Sequence, residues 1–236
     1  MLTILFDIDG TLIQINGSGR RVMKNALTKV FGTPGPIDQH SFAGETDTAI
    51  IYDLMTSAGF NQSEINLRLG ELYEVMEQQG KEIFFDRGLD TCPGVPDLLD
   101  KLSMREDVLM GLLTGNSVKT AGLKLEAAGI SAKLFRFGAY GSDALKRNDL
   151  AEIAWRRAEQ VCPSPLDRGC SFIIGDTPAD IACGRHLGAK VIAVATGTLS
   201  RSDLASYSPD LLLNDLSRTE FILQFIDGQE GELNEK

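Results

Sequence analysis

The sequence predicts an α/β fold: a Rossmann-like, doubly wound parallel sheet core with an inserted helical cap domain. Three observations carry that expectation. From Leu109 onward, short apolar runs ending in turn residues alternate with amphipathic segments, as in parallel strands joined by right-handed helical crossovers. Acidic and hydroxyl residues stand at the carboxyl ends of those runs, the rim where open α/β sheets bind ligands. Between the first strand and Pro93 the texture is helical, over a stretch too long for a loop in a compact fold.

The first strand runs into "LFDIDGTL", Leu5–Leu12. Residues i and i+2 of an extended strand point to one face, so Asp7 and Asp9 are expected to crowd together where the strand stops. Two unit charges ~4 Å apart repel by about 4 kcal/mol at an effective dielectric of 20. The pair needs a cation, a shared proton or a chemical role. Gly10 permits a tight turn that leaves amides free for anions. A structural Asx-turn would explain one acid, not two.

Next, "RRVMKNALTKVF" sets Val22, Ala26 and Val30 on one helical stripe beside Met23, Leu27 and Phe31. "TDTAIIYDLMTSAG" and "SEINLRLGELYEVMEQQGKEIF" read as further helices. Residues 14–88 are therefore expected to form the helical cap, leaving the core at the acidic turn and lying over it as a lid. The core is expected to comprise 1–13 and 89–227.

In that core, "VLMGLLTG" (Val108–Gly115) reads as the second strand, and "SVKTAGLKLEAAG" as a helix with Ser117 as N-cap and Gly129 as stop. "LFRFGAYG" is the third strand. "DLAEIAWRRA" follows as a helix, with Asp149 and Glu152 in capping-box spacing. "SFIIGD", "KVIAVATG" and "DLLLND" are three more strands, with "TPADIACGRHLG" a helix between the first two and "LSRTEFILQFI" a helix closing the fold. Residues 228–236 form a polar tail expected to be disordered.

Composition narrows the function classes. The chain has 236 residues, 43% apolar and 24% charged, enough for a core with an insert. A net charge of -10 argues against nucleic acid and anionic membrane as partners. No run of 18 apolar residues spans a bilayer, and Asp7 and Asp9 interrupt the first apolar run, so no signal peptide is readable. Cys92, Cys162, Cys170 and Cys183 form no CxxC pair and are expected to be reduced, in a cytoplasmic protein. Cys183 and His186 have CxxH spacing without a second ligand pair. His40 and His186 are too distant in sequence to suggest a dyad. Without a secretory signal, the glycosylation patterns at Asn16 and Asn61 read as chance matches.

"DIDGTL", "LLTGN" and "GDTPADI", in this order and on these elements, resemble the motifs of the haloacid dehalogenase-like hydrolases. The resemblance is to the phosphoglycolate-phosphatase-like branch with a helical cap, and covers nearly the whole chain except the tail. An aspartate can attack phosphorus to give an aspartyl-phosphate, and Asp7, at the strand end, is the candidate nucleophile. Asp9 suits the acid/base role, protonating the leaving alkoxide and later activating water. The resemblance implies a magnesium ion, Mg2+, held by Asp7, the Asp9 backbone carbonyl and Asp176. Asp180 has two readings: a further residue of the metal site, or the acid of a helix start with Thr177 and Pro178.

By the same resemblance, Thr114, Gly115 and Asn116 bind the phosphate, at a helix N-terminus where unpaired amides favour anions. The family's usual Lys-Pro after the third strand is missing from "SDALKRNDLAEIA". Lys146 and Arg147 compete for that role, and the planar fork of Arg147 suits phosphate better. "NGSGRR" lacks the Gly-Lys-Ser/Thr ending of a nucleotide loop and reads as the hinge into the cap.

The expected activity is a magnesium-dependent phosphomonoesterase acting on a small phosphorylated metabolite, such as phosphoglycolate or a sugar or polyol phosphate. A dehalogenase would lack the acid at Asp9. A phosphonate hydrolase would need a buried cap lysine, and nothing marks Lys24, Lys29 or Lys81 as one. The alternatives are a mutase of the same superfamily, a phosphorylated signalling receiver, or a phospho-ligand-binding pseudoenzyme. In "FAGETDTAI", Glu45 stands where relatives often carry a base. It is expected to face the pocket and disfavour strongly anionic substrates, with Arg20 as the offsetting cap cation; the alternative is a solvated cap face. Neither oligomeric state nor the particular metabolite is legible.

Overall fold

The computed structural model describes residues 1–228; the expected polar tail from 229 onward lies outside the described residues. Strand β1 (Leu2–Phe6) is central. It pairs in parallel with β2 (Val108–Leu113) on one side and β4 (Ser171–Gly175) on the other. With β3 (Phe137–Ala139), β5 (Lys190–Val194) and β6 (Leu211–Leu213) the sheet has the order β3-β2-β1-β4-β5-β6, parallel throughout. The sheet is covered on both faces, which is why its strands are continuous apolar runs.

Side chains alternate along β1 as the pleat requires. Ile4 and Phe6 join an apolar cluster on one face, with α4 (Val95–Ser103), α5 (Val118–Ala127) and α9 (Thr219–Ile226). Leu5 joins a cluster on the other face, with α6 (Arg147–Val161) and α7 (Pro178–Leu187). Helix α4 was not read from the sequence, although Leu98, Leu99 and Leu102 make a helical stripe behind Pro96. Short helix α8 (Arg201–Ala205) links β5 to β6.

Three helices lie between β1 and α4: α1 (Ser18–Phe31), α2 (Asp47–Ser57) and α3 (Gln62–Phe85). Helix α1 buries Val22, Met23, Ala26, Leu27 and Phe31, while Val30 is only partly buried. Asn61 starts α3 in a reciprocal capping box with Glu64, at 3.1 and 2.8 Å. Such a cap contributes about 1 kcal/mol. Val22, Leu27, Ile51, Leu72 and Phe84 from these helices are in the same apolar cluster as Phe6, Ile8 and Leu12. Each such side chain stabilises by about 1.5–3 kcal/mol, so the insert is anchored on the end of the sheet that carries the acids.

One expected cap differs. Helix α6 begins at Arg147 behind Lys146, and Asp149 and Glu152 do not form the predicted box. Asp149 sits in the first turn, where a negative charge favours the helix dipole. Glu152 instead makes two 2.9 Å hydrogen bonds with Arg168.

Chain order reverses at β1: β2 and β3 extend the sheet one way, β4 to β6 the other. Phe6 is in register with both Leu112 and Ile174. The residues just beyond β1, β2 and β4 (Asp7, Thr114 and Asp176) therefore emerge on one rim, at the switch point where such sheets bind ligands.

Candidate active site

Strand β1 stops at Phe6, so Asp7 and Asp9 lie in the turn and not on one face of the strand. The Ile8 carbonyl accepts from the amides of Thr11, Leu12 and Ile13 at 3.3, 2.9 and 2.9 Å, and Gly10 adopts φ +80°. A Cβ at Gly10 would stand 2.6 Å from Asp176 Cγ. The glycine is what lets the turn close against the β4 acid, and Thr11 Oγ1 donates to Asp176 Oδ1 at 3.2 Å.

Asp7, Asp176 and Asp180 are all buried, and each offers an oxygen within 4.8 Å of the others. Asp180 serves two structures at once. It forms the α7 capping box with Thr177, and its Oδ1 accepts from Arg147 at 2.5 Å. Arg147, also buried, stands 3.1 Å from Asp7 Oδ2. Its Nε is buried without a hydrogen-bond partner among the described residues. Lys146, one residue earlier, is exposed.

One guanidinium does not balance three buried carboxylates. Burial pushes Asp7 up to about 6, with Arg147 opposing and Asp180 and Asp9 reinforcing the rise. Asp176 is held well above the usual carboxylate range, first by burial and then by Asp7 and Asp180. Burial works against the charge of Arg147, but Asp180 and Asp7 outweigh it and hold the group firmly protonated. A hard divalent cation with oxygen ligands fits both the donor set and the charge deficit.

Beyond β2, the side chain of Asn116 links the phosphate-loop candidates to the acid/base candidate. Its Nδ2 donates to Thr114 Oγ1 and to Asp9 Oδ2, both at 2.9 Å. Lys124, from the last turn of α5, donates to Asp9 Oδ2 at 2.5 Å and to Asn116 Oδ1 at 2.6 Å. Gly115 contacts the insert: its carbonyl accepts from the Asp47 amide at 2.7 Å. Asp47 in turn accepts from the Ser117 amide at 2.7 Å. Burial raises Asp47 to about 6, against the pull of that hydrogen bond and of Lys124.

These groups surround a cavity of about 410 Å³ between the sheet rim and the insert. Arg20 and Glu45 both line it. The Arg20 guanidinium is held by the carbonyls of Ile37 and His40 and lies over the Phe42 ring at 4.2 Å. Glu45 has a partner the sequence did not suggest, His40 Nε2 at 3.2 Å.

A sequence profile for the haloacid dehalogenase-like hydrolases matches residues 4–194. The chain belongs to that family. Haloacid dehalogenase-like hydrolases and related proteins of known structure share its fold. A hydrolase from Pseudomonas syringae superposes with a TM-score of 0.71 at 19% identity, covering 96% of this chain and 99% of that one. A predicted phosphoglycolate phosphatase from Haemophilus somnus gives 0.68 at 18% identity, with 95% and 98% covered. CbbY from Rhodobacter sphaeroides, solved with phosphate, gives 0.64 at 17% identity, with 92% and 96% covered. At these identities the likeness is one of fold. Comparison with curated proteins gave no match.

In this haloacid dehalogenase-like hydrolase, two site residues escaped the sequence reading: Lys124 and Asp47. A lysine in line with Thr120 and Ser117 on the inward side of a helix was the available signal, since lysine is almost never buried unless paired. Asp47 carried no signal beyond lying at a helix start. The three lysines weighed from the sequence are engaged or exposed: Lys24 pairs with Asp38, Lys81 with Glu77, and Lys29 is exposed. Cys183 donates to the Arg147 carbonyl and His186 faces Glu152, so the CxxH pair shares no metal cluster among the described residues. None of the described helices is long and apolar enough to cross a membrane.

Proposed function

We propose that the protein is a magnesium-dependent phosphomonoesterase that releases phosphate from a small organic phosphate through an aspartyl-phosphate intermediate. The observation that carries this reading is the setting of Asp7. A buried carboxylate stands 3.1 Å from a guanidinium, and both line a cavity in which a second acid, Asp9, is held by Lys124 and Asn116.

Asp7, Asp176 and Asp180 are the side chains that would hold the ion, with the Asp9 carbonyl. Bound there, magnesium would neutralise the carboxylates and polarise a phosphoryl oxygen. Arg147, which lines the cavity, would take further phosphoryl oxygens through its guanidinium, and Thr114, Gly115 and Asn116 would bind the rest. An Asp7 oxygen attacks phosphorus, the ester P–O bond breaks, and Asp9 gives its proton to the departing alkoxide oxygen. In the second half, Asp9 takes a proton from water. The water oxygen bonds to phosphorus, the Asp7 O–P bond breaks, and inorganic phosphate leaves.

Ile13, Val22, Ile50, Met76, Phe84 and Leu89 line the same cavity. The alcohol portion is therefore compact and at least partly apolar in its contacts. Steady, multiple-turnover release of phosphate from p-nitrophenyl phosphate with magnesium tests the reading. A receiver or a binding pseudoenzyme would yield at most one equivalent. A mutase supplied with a sugar phosphate would return its isomer with little free phosphate.

A further inference from the structure

We propose that Lys124 is a positioning residue for Asp9, fixing which carboxylate oxygen exchanges the proton; this rests on the phosphomonoesterase reading above. The Asp9 side chain is 38% exposed and belongs to a turn, so its backbone alone does not hold it in one rotamer. Lys124, by contrast, is 4% exposed. Desolvating an ammonium is costly unless it is paired and hydrogen-bonded, and here both its contacts are polar groups of the site. Nζ donates to Asp9 Oδ2 and to Asn116 Oδ1, while Asn116 Nδ2 donates to the same Asp9 oxygen. The three side chains close a triangle, which Asn116 extends to Thr114 Oγ1.

Both hydrogen bonds to the Asp9 carboxylate fall on Oδ2. Oδ1 is then the oxygen that carries the proton: it passes to the leaving oxygen as the ester bond breaks, and Oδ1 recovers a proton from water in the second half. An oxygen already accepting from an ammonium and an amide is poorly placed to hold that proton. The insert closes over the same lysine. A Cβ on Gly19 of α1 would stand 3.1 Å from Nζ, and the Phe84 ring of α3 is centred 5.8 Å away. The lysine therefore ties the acid/base group to the wall of the cavity that α1 and α3 form.

The test compares an alkyl phosphate such as glycerol phosphate with p-nitrophenyl phosphate, whose leaving group needs little protonation. Lys124→Met is expected to lower kcat on the alkyl ester about 100-fold with KM within about threefold, and to cost roughly tenfold less on the aryl ester. In an Asp9→Asn background the same substitution should cost under about threefold, because residues acting as one unit are non-additive. Lys124→Arg keeps the charge and should show the same alkyl-over-aryl bias with a smaller loss, which preserves the test if the methionine variant does not fold. Equal losses on both esters, or additive losses in the Asp9→Asn background, would overturn the inference and leave Lys124 a structural group. Wild-type protein that releases no phosphate from either ester would overturn the phosphatase reading itself, and the inference with it.

Discussion

Arg147 Nη2 lies 3.1 Å from Asp7 Oδ2, and both side chains are more than nine-tenths buried. Removing one partner of a buried ion pair costs about 3–5 kcal/mol, because the other charge is stranded. Arg147→Ala is therefore expected to lower both the melting temperature and kcat/KM, the latter by at least about 100-fold on p-nitrophenyl phosphate. Lys146→Ala removes an exposed charge and should leave kcat/KM within about twofold. The opposite ranking would transfer the phosphate-neutralising role to Lys146.

Asp7→Asn should abolish turnover, since an amide does not attack phosphorus. It should also stabilise the metal-free protein, because Arg147 keeps Asp180 as its partner at 2.5 Å and is not stranded. Burial raises Asp7 to about 6 from an ordinary 3.8, so folding favours the protonated acid. The stability this group contributes at low pH is lost as pH climbs through that interval. An asparagine never meets that loss. The melting temperature of the variant should exceed wild type by at least about 2 °C at pH 7.5, with a smaller gap at pH 5. A gap that is larger at pH 5 would contradict the assignment.

Magnesium should raise the melting temperature and restore activity after chelation, whereas calcium, with its longer and more numerous bonds, should support turnover poorly. Protons compete with the ion for Asp7 and Asp176, both raised above the ordinary range. The magnesium-induced shift is thus expected to shrink from pH 7.5 to pH 5.5, and to be nearly absent in Asp176→Asn. Full activity in excess chelator would remove the metal from the mechanism.

Asp9→Asn is expected to reduce turnover of alkyl phosphates at least about tenfold more than that of aryl phosphates, since alkoxides depend most on a donated proton. Steady-state rates on the two ester classes check this. Equal losses would take the acid role away from Asp9.

Glu45 lines the cavity, with His40 as its partner. Glu45→Lys should raise kcat/KM for phosphoglycolate relative to glycerol phosphate by about tenfold, the worth of ~1.4 kcal/mol of altered charge interaction. An unchanged ratio in a folded, magnesium-responsive variant would place the discrimination elsewhere in the cavity wall.

The fold was legible because its signals are local. Apolar runs of strand length, amphipathic stripes such as Val22–Met23–Ala26–Leu27, and caps such as Ser117 and Thr177 each depend on a few neighbouring residues. The capping of α6 was misread because Asp149 and Glu152 have the right spacing, while the helix starts earlier, where Arg147 turns inward to Asp180. A buried ion pair outweighed a local cap preference there.

By itself, the sequence determined that Asp7, Thr114 and Asp176 end parallel strands and so share a rim, because strand ends and parallel order follow from the alternating pattern. Only the tertiary structure decided which side chains meet on that rim. Lys124 reaches Asp9 across 115 residues of chain, and Arg147 reaches Asp180 across 33. Asp47 accepts from the Ser117 amide across 70 residues. Such contacts depend on which strands are neighbours and how the insert packs on them. No single stretch of chain encodes that choice: it arises when the whole apolar surface is buried at once.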